Sequence, residues 1–441
     1  MLTRAKSREY FEFAAPLAAM NPQAAQVRRT YLLLTLLTTL ASSFIWGINT
    51  LFLLSAGLTN AEAFLVNAFY AAGEFIFEVP TGVVADTRGR RTSYLLGTIT
   101  LLVSTLLYLF MWQTRAPVWG WAIASVLLGL GFTFFSGATE AWLVDALDAT
   151  GHDGPLESVF ARAQVVGGGA MLVGAVAGGV VAQASSLAVP YVIRATLLGL
   201  TFIVAFRFMH DLGFTRRAST RVTAEARAIL RQSIQTGFGN PNLRWLILSS
   251  FFLTGVGFYG FYAMQPYLLE LYGDESAFAL AGLAAAVFAG AQIVGGLAVQ
   301  FVQKLFRRRT TAILTGTTLA TVSVVLIGFG DSFWLVAAAF VAWAFFFSLT
   351  GPIRQAFLNG CIRSSERATV LSMDALVGSA GGALTQPVLG RVADSSGYGA
   401  SYLVSGAIHA LALPFIYLAR RQDAPGELVD DVEPNVSGVV S

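Results

Sequence analysis

The chain is poor in charged residues. Lys, Arg, Asp and Glu together make up 12% of its 441 residues, whereas a soluble globular domain carries about 25%. Hydrophobic residues make up 55% of the chain, and its mean hydropathy is +0.66. A soluble domain of this length needs more charge at its surface, so the composition predicts a membrane protein.

Cysteine and histidine are scarce as well. The single cysteine, Cys361, excludes an intramolecular disulfide and a cysteine-based metal cluster. The three histidines, His152, His210 and His409, are far apart in the sequence and form no metal-binding pattern. The chain also lacks a nucleophile elbow, an HExxH motif and a phosphate-binding loop. We therefore expect no metal, no cofactor and no enzymatic activity.

Long apolar runs recur over the whole chain. Each is continuous and spans about 18 residues or more, which is enough for a helix to cross roughly 30 Å of hydrocarbon. The alternating segments of about ten residues that build a membrane β-barrel are missing. The sequence therefore predicts an all-α membrane protein with twelve transmembrane helices, at 31–56, 62–84, 92–112, 119–144, 157–182, 190–207, 244–269, 277–301, 310–329, 332–353, 368–390 and 400–419.

The basic residues predict the orientation of these spans. With the N-terminus on the cytoplasmic side, all but three of the 28 Lys and Arg residues fall on cytoplasmic stretches. The three exceptions are Arg115, Arg194 and Arg391, and we expect Arg194 to extend to the outer interface at the start of span 6. Because positive charge concentrates in cytoplasmic loops, we predict that both termini are cytoplasmic.

A polar stretch divides the twelve spans into two groups of six. Short matches between the halves, 136–140 with 350–354, 90–92 with 308–310 and 46–47 with 259–260, indicate an internal repeat. The first 30 residues lack the apolar core of a cleaved signal peptide. The predicted organisation is a cytoplasmic N-terminal segment at 1–30, a six-helix bundle at 31–207, a cytoplasmic linker at 208–243 with an amphipathic helix at 222–235, a second six-helix bundle at 244–421, and an acidic cytoplasmic tail at 422–441.

Ten residues between spans 2 and 3 combine two glycines, a carboxylate and paired arginines. Their key positions are Gly82, Asp86, Gly89, Arg90 and Arg91. An ordinary connection between helices does not need this combination. The spacing Gly-x-x-x-Asp-x-x-Gly-Arg-Arg resembles the signature between helices 2 and 3 of the major facilitator superfamily of secondary transporters.

The resemblance extends over the full length. Residues 136–145 resemble the end of helix 4, and 367–372 resemble the start of helix 11, in bacterial members of that family. The resemblance implies two six-helix halves that rock about a central cavity. Two features of its drug/proton antiporters are missing here: 125–129 has no Arg-x-x-Gln-Gly pattern, and 174–179 lacks the proline of Gly-Pro-x-x-Gly-Gly.

The resemblance also implies that the signature loop is a gate. Asp86 would face the N-terminus of helix 11, where the helix dipole stabilises an anion. Arg90 and Arg91 would then reach Asp145 at the cytoplasmic end of span 4. The second half carries a degraded copy of the loop, so we expect the gate to belong to the first half.

Small residues predict where helices 2 and 11 pack against each other. Gly82 would let helix 11 approach helix 2 closely. Gly378 and Gly382, four residues apart in span 11, would supply the complementary small surface. This contact would lie beside the signature loop and would form part of the same gate.

Four acidic residues fall within predicted spans and are candidates for proton coupling. Glu74 and Glu78 lie one helical turn apart in span 2, Glu140 lies in span 4, and Asp374 lies early in span 11. An embedded carboxyl is costly unless it is paired, hydrated or protonated. Glu74 is therefore either a proton carrier or a group tied to a neighbouring helix. Asp374 either titrates or pairs with an arginine of the signature loop.

Aromatic and amide residues in spans 1 and 7 are candidates for the cavity wall, since helices 1, 4, 7 and 10 line the cavity in this family. They are Trp46 and Asn49 in span 1, and Tyr259, Tyr262 and Gln265 in span 7. The amides can hydrogen-bond a substrate and the rings offer apolar faces. Such a wall suits amphipathic organic molecules, although each residue also has a plain role in helix packing.

These observations predict a secondary active transporter in a bacterial cytoplasmic membrane. The leading hypothesis is proton-coupled efflux of a small amphipathic compound by alternating access. A proton symporter or uniporter that imports a small metabolite is the alternative, and a sensor or scaffold is a remote one. We expect a monomer that interacts with protons, a small substrate and membrane lipids, and not with nucleic acid.

Overall fold

The computed structural model describes residues 21–152, 154–216, 237–362, 367–422, 424 and 427–429. The predicted linker helix at 222–235, most of the N-terminal segment and residues 430–441 of the tail lie outside the described residues. The first half contains α1 (Pro22–Trp46), α2 (Asn49–Ser55), α3 (Asn60–Arg88), α4 (Arg90–Thr114), α5 (Val118–Thr133), α6 (Ala138–Ala149), α7 (Leu156–Ala184) and α8 (Ala188–Phe208).

The second half repeats this all-helical pattern. Its helices are α9 (Pro241–Tyr272), α10 (Phe278–Val302), α11 (Arg309–Phe329), α12 (Phe333–Gly360), α13 (Arg367–Ala410) and α14 (Ala412–Arg420). Gly397, with φ at +82°, breaks α13 into a first arm at 367–396 and a second arm at 398–410. The second arm continues into α14 and completes the last crossing.

The apolar helices account for the twelve predicted spans. Nine of the described helical stretches, or ten with the bent pair α1 and α2, are long and apolar enough to cross a membrane. The break at Gly397 divides one of these stretches into two crossings. Predicted span 2 corresponds to α3, a helix of 29 residues that includes the acids of that span. The fold is therefore the expected all-α membrane architecture.

Local sequence signals set the ends of several helices. Asn21 caps α1 by accepting a hydrogen bond from the backbone of Gln23, ahead of Pro22 in the first turn. Thr59 and Glu62 form a capping box at the start of α3. Gly89, with φ at +107°, ends α3 and begins α4 within one residue.

Two predicted spans are broken, which differs from the expectation of continuous helices. Span 1 bends by 49° between α1 and α2. Span 4 is interrupted between α5 and α6, where Gly137 has φ at +66°. Backbone groups freed by such breaks in a membrane must find other partners or face water. Both breaks therefore mark places where a polar side chain can be used.

Hydrogen bonds join the two halves at the end where α3 begins. Asp394 accepts from the backbone N–H groups of Asn60 and Ala61, at 2.8 and 2.9 Å. Nearby, the hydroxyl of Tyr398 donates to the side chain of Asn60 at 2.6 Å. We call these four residues the outer latch. Since an N–H pair at a helix N-terminus favours an anion, Asp394 closes this end on α3.

Close backbone contact between α7 and α10 adds to this closure. A Cβ atom built on Gly282 would lie 3.0 Å from the Cα atom of Gly179 and in steric overlap with the carbonyl of Ala175. Glycine is therefore required at Gly282 while the halves pack in this way. Gln183 of α7 also accepts a hydrogen bond of 2.9 Å from the backbone of Ala279.

The opposite end of the molecule is open. A vestibule of about 1450 Å³ lies between the halves there, lined by α1, α4, α6, α7 and two residues of α10. It contains Glu140, and its walls continue to Met171, which also lines the central cavity. The structure thus has one closed end and one open end.

The glycines of span 11 do not pack as expected. Cβ atoms built on Gly378 and Gly382 would meet Thr254 and Phe258 of α9. The prediction that this pair contacts helix 2 was therefore wrong for this structure. The close approach of α13 to α3 occurs instead at Gly390, which meets the backbone of Asn60.

Candidate functional site

A cavity of about 480 Å³ lies between the two halves. Helices α1, α2, α3, α4, α5, α7 and α8 form its wall in the first half, and α9, α10 and α12 form it in the second. More than half of the lining residues are aromatic, namely Trp46, Tyr70, Tyr108, Phe132, Phe258, Phe261, Tyr262, Phe288, Trp343 and Phe347. The polar ones are Asn49, Asn67, Arg194, Thr254 and Gln292.

Asn49 belongs to a buried chain of hydrogen bonds at the bend of span 1. Its Nδ2 donates to Oδ1 of Asn67 at 3.2 Å, and its Oδ1 accepts from the hydroxyl of Tyr191 at 2.9 Å. The Nδ2 atom of Asn67 is buried and has no partner among the described residues. The cavity wall therefore offers a hydrogen-bond donor at Asn67.

Arg194 lies inside the protein and not at the outer interface, so the expectation from the sequence was wrong. The residue is 2% exposed. Its Nε donates to the hydroxyl of Thr105 at 3.0 Å, and its Nη1 donates to the carbonyl of Ala41 at 3.3 Å. Its Nη2 is buried without a partner among the described residues. Sequence reasoning missed Arg194 because it stands near the start of a span.

Tyr70 connects the cavity to Glu74. The ring of Tyr70 lines the cavity, and its hydroxyl donates a hydrogen bond to the carboxylate of Glu74 one turn along α3. Gly129 of α5 packs against the backbone of Tyr70 and Glu74, since a Cβ there would overlap with both. Glu74 is thus half-buried next to the wall without lining it. The spacing of four residues was the available sequence signal for this pair.

The other embedded acids occupy different surroundings. Glu78 is exposed and accepts a hydrogen bond of 2.6 Å from Ser136. Glu140 is exposed in the wall of the vestibule. Asp374 forms an ion pair with Arg354 of α12 and accepts a hydrogen bond from Ser250. This pairing differs from the expected pairing of Asp374 with the signature loop.

Two of the expected cavity residues lie outside its wall. Tyr259 is fully buried and packs against Phe64 and Tyr402. Gln265 is also fully buried. It joins the halves by donating to the carbonyl of Trp46 at 2.6 Å and accepting from the backbone of Thr50 at 3.1 Å. Gln265 therefore satisfies the backbone at the bend of span 1, whereas Trp46, Asn49 and Tyr262 do line the cavity.

The signature loop lies at the open end. Arg90 contacts the carboxylate of Asp86 one turn earlier, and its Nε lies 3.9 Å from Asp145. The backbone of Arg91 donates to Asp211 at 2.8 Å, so a carboxylate also caps the start of α4. No local sequence pattern indicated this role of Asp211. Residues 363–366, just before span 11, and the side chains at 367–369 lie outside the described residues. The expected contact of Asp86 with the start of this helix therefore stays a prediction.

The described residues contain no group of three His, Cys, Asp or Glu side chains that is able to hold a metal ion. Cys361 at the end of α12 is half-buried. Among the described residues that line the cavity, none is a nucleophile with an adjacent base. What the cavity offers is an aromatic space with one cation, three amide groups and a neighbouring carboxyl, which suits binding and release of an organic molecule.

The chain matches known proteins over this whole fold. The family model described as Major Facilitator Superfamily matches residues 31–297 and 275–435. An uncharacterized MFS-type transporter of Methanocaldococcus jannaschii is 25% identical over 182 residues, which cover 41% of this chain and 45% of the relative. The chain therefore spans less than half of the length of that relative in this match.

Two solved structures show the same fold at low identity. The nucleoside transporter NupG aligns with a TM-score of 0.73 and 12% identity, over 90% of this chain and 99% of that one. A bacterial homolog to the human lysosomal transporter Spinster aligns with a TM-score of 0.69 and 16% identity, over 91% of this chain and 98% of that one.

Proposed function

Because the chain belongs to the major facilitator superfamily, it is a multi-pass membrane transporter and not an enzyme, and we propose that it exports a small amphipathic organic compound in exchange for protons. The substrate enters the central cavity, and the two halves then rock to expose it at the other side. The cell would supply the driving force as a proton gradient across a bacterial cytoplasmic membrane.

The open end is the side at which an exporter would load its substrate and at which an importer would release it. The basic residues place the signature loop on the cytoplasmic side, and the vestibule opens at that end. The outer latch closes the opposite end. A compound in the cytoplasm or the inner leaflet therefore has a path through the vestibule to the aromatic cavity.

The hydrogen bond between Tyr70 and Glu74 is the observation that carries the proposal of proton coupling. An ionised Glu74 accepts this bond and holds the Tyr70 ring in the cavity wall. A protonated Glu74 has a proton of its own to donate and no longer needs the tyrosine donor. Proton binding at Glu74 therefore changes the cavity wall where substrate would lie.

This link gives exchange a physical basis. A substrate that packs against Tyr70 favours one arrangement of the wall, and a proton on Glu74 favours another. A ligand shifts a two-state equilibrium only through its different affinity for the two states. Substrate and proton would then bind preferentially in alternation. Glu78, Glu140 and Asp374 stay further candidates for proton coupling, although Asp374 already has Arg354 as a partner.

The signature loop would act as the gate at the cytoplasmic end. In the outward-facing state we propose that Asp86 approaches the N-terminus of α13, as the family resemblance implies. Arg90 would keep its contact with Asp145. Gly82 has open space around it in this structure, which leaves room for another helix. Gly89 and Arg91 hold the turn between α3 and α4.

Import of a small metabolite by a symporter or uniporter is the second candidate. It is favoured by the missing Arg-x-x-Gln-Gly pattern at 125–129 and by the missing proline at 174–179. In either direction we propose that the protein works as a monomer in contact with membrane lipids. The basic linker at 208–243 would lie against anionic lipid of the inner leaflet.

Two experiments, carried out one after the other, test the proposal: growth inhibition and transport into vesicles. A compound panel is first compared between a deletion strain and an overexpressing strain, which identifies an exported compound by its relieved toxicity. Uptake of that compound into inverted vesicles is then measured with and without an imposed acid lumen. We expect uptake that depends on the gradient. Gradient-independent uptake would exclude proton coupling, and accumulation in whole cells would show import.

A further inference from the structure

The central cavity contains a cation without a counter-ion. Arg194 is the charged residue among the described residues that line it. The salt bridges among the described residues join other pairs, Arg90 with Asp86 and Asp145, and Arg354 with Asp374. Glu74, the carboxyl beside the cavity wall, is hydrogen-bonded to Tyr70.

A buried arginine with neutral partners alone is unfavourable. Its guanidinium is always charged, and moving it out of water costs several kcal/mol unless an opposite charge or a full set of acceptors compensates. Thr105 and the carbonyl of Ala41 accept from two of its nitrogens. The third nitrogen, Nη2, is buried and has no partner among the described residues. One position of the guanidinium fork is thus left for an acceptor.

The surroundings define what kind of acceptor fits. Tyr70, Tyr108 and Tyr262 line the same cavity as Arg194, and so do Trp46 and Trp343. Such rings provide flat apolar faces for a ring or hydrocarbon body. Arginine recognises carboxylate and phosphate oxygens through its planar fork. A cation as ligand would meet the charge of Arg194 with no acid in the described wall to offset it.

We propose that this cavity binds organic anions, with the anionic group on Arg194 and an aromatic or apolar body among the rings. The proposal rests on the proposed transport function and names the substrate class for it. Asn67, whose Nδ2 is also unpartnered, supplies a second donor in the same wall. The cavity volume of about 480 Å³ accommodates a compound of one to a few rings.

Three probes with the same ring system and different charge test the proposal. They are 2-naphthoate, 2-naphthalenemethanol and 2-naphthylmethylamine at neutral pH. Binding to the purified full-length protein in detergent is measured by calorimetry, with wild type compared to Arg194→Gln, Arg194→Lys and the exposed control Arg391→Gln. Thermal unfolding of each variant shows whether it is folded.

We expect 2-naphthoate to bind wild type most tightly and the amine least. Arg194→Gln should weaken 2-naphthoate about 30-fold, since a hydrogen bond to a charged group is lost, and Arg194→Lys should weaken it less. Arg391→Gln should bind like wild type. If Arg194→Gln fails to fold, the Arg194→Lys variant and the order of the three probes on wild type still decide the question.

Binding of the amine at least as tightly as the carboxylate would overturn the proposal. Equal affinity of wild type and folded Arg194→Gln for 2-naphthoate would overturn it as well. These results are independent of the transport assay, which uses proton-driven flux. Proton-driven export of a cation would leave the proposed transport function standing and exclude the organic-anion class. Anion binding without proton-driven flux would support the organic-anion class and exclude proton-driven transport.

Discussion

Asp394 accepts a hydrogen bond of 2.8 Å from the backbone N–H of Asn60, the first residue of α3. The two residues belong to different halves of the molecule and lie at the closed end. The carboxylate thus interacts with the positive end of the α3 dipole as well as with individual N–H groups. The same physical arrangement was expected for Asp86 at the other end of the molecule. Each end would then close by a carboxylate at a helix N-terminus, and the two ends would close alternately.

Asp394→Asn should weaken the outer latch. The variant loses the charge at the helix N-terminus and one acceptor, which shifts the equilibrium toward the outward-facing state about tenfold. A Thr254→Cys reporter in the cavity, in a Cys361→Ser background, should react faster with an impermeant thiol reagent added outside. Asp331→Asn, an exposed acid of the same end, is the control. Equal labelling rates in the two variants would contradict this role.

Gly282→Val should prevent closure of the outer end. Its side chain would overlap with the backbone of α7, since even a Cβ atom at this position would overlap with the carbonyl of Ala175. We expect outward-facing accessibility, loss of transport and a retained fold, since the clash disappears once the halves separate. Gly290→Val on the same helix has open space around it and should transport like wild type. Transport by Gly282→Val at the control rate would exclude this closed arrangement.

Asp374→Asn should lower stability more than it lowers proton coupling. The change leaves the guanidinium of Arg354 without its carboxylate partner, at a cost of about 2 kcal/mol. The midpoint of thermal unfolding in detergent should fall, and Arg354→Met combined with Asp374→Leu should recover part of the loss. An unchanged midpoint together with lost proton-driven flux would instead assign Asp374 to coupling.

The C-terminal segment should leave its docking site as pH rises. This segment is residues 427–429. The backbone of Leu428 forms an antiparallel β-bridge with the backbone of Arg308, and the carboxylate of Glu427 accepts a hydrogen bond from the hydroxyl of Thr310. Burial raises the pKa of Glu427 above its ordinary value of 4.5, opposed by Thr310, Arg308 and Arg420. Docking is therefore fully favourable below 4.5 and weakens as pH rises through the raised pKa.

A Val429→Cys reporter in the Cys361→Ser background measures this release by its labelling rate. The rate should rise from about pH 5 to about pH 8 more steeply in the native segment than in Glu427→Gln. The neutral glutamine removes the titration and leaves the thiol chemistry unchanged. The same pH profile in both proteins would exclude Glu427 as the cause.

The twelve spans were predictable because a bilayer requires long apolar helices, and such runs are visible without any tertiary information. The breaks of spans 1 and 4 were not predictable. Every predicted span contains at least one glycine, and nothing local distinguishes Gly137, with its positive φ, from a helical glycine. The same holds for Gly378 and Gly382, whose spacing indicates a packing face without naming the helix that packs there.

The candidate site was predictable in part. Trp46, Asn49 and Tyr262 were expected on the cavity wall because spans 1 and 7 line the cavity in this family, and all three residues line it. Arg194 was assigned to the interface because its sequence position is near the start of a span. Its partners, Thr105 and the carbonyl of Ala41, come from other helices and appear only in the assembled fold. Asp394 was missed for the same reason.

The most direct test of proton-coupled export compares wild type with Glu74→Gln in inverted vesicles. The exported compound from the growth panel is supplied outside, and the lumen is made acidic. We predict that wild type accumulates the compound only with the gradient. Glu74→Gln should bind it and fail to accumulate it, because glutamine cannot carry a proton. Gradient-driven accumulation by Glu74→Gln at the wild-type level would contradict the account.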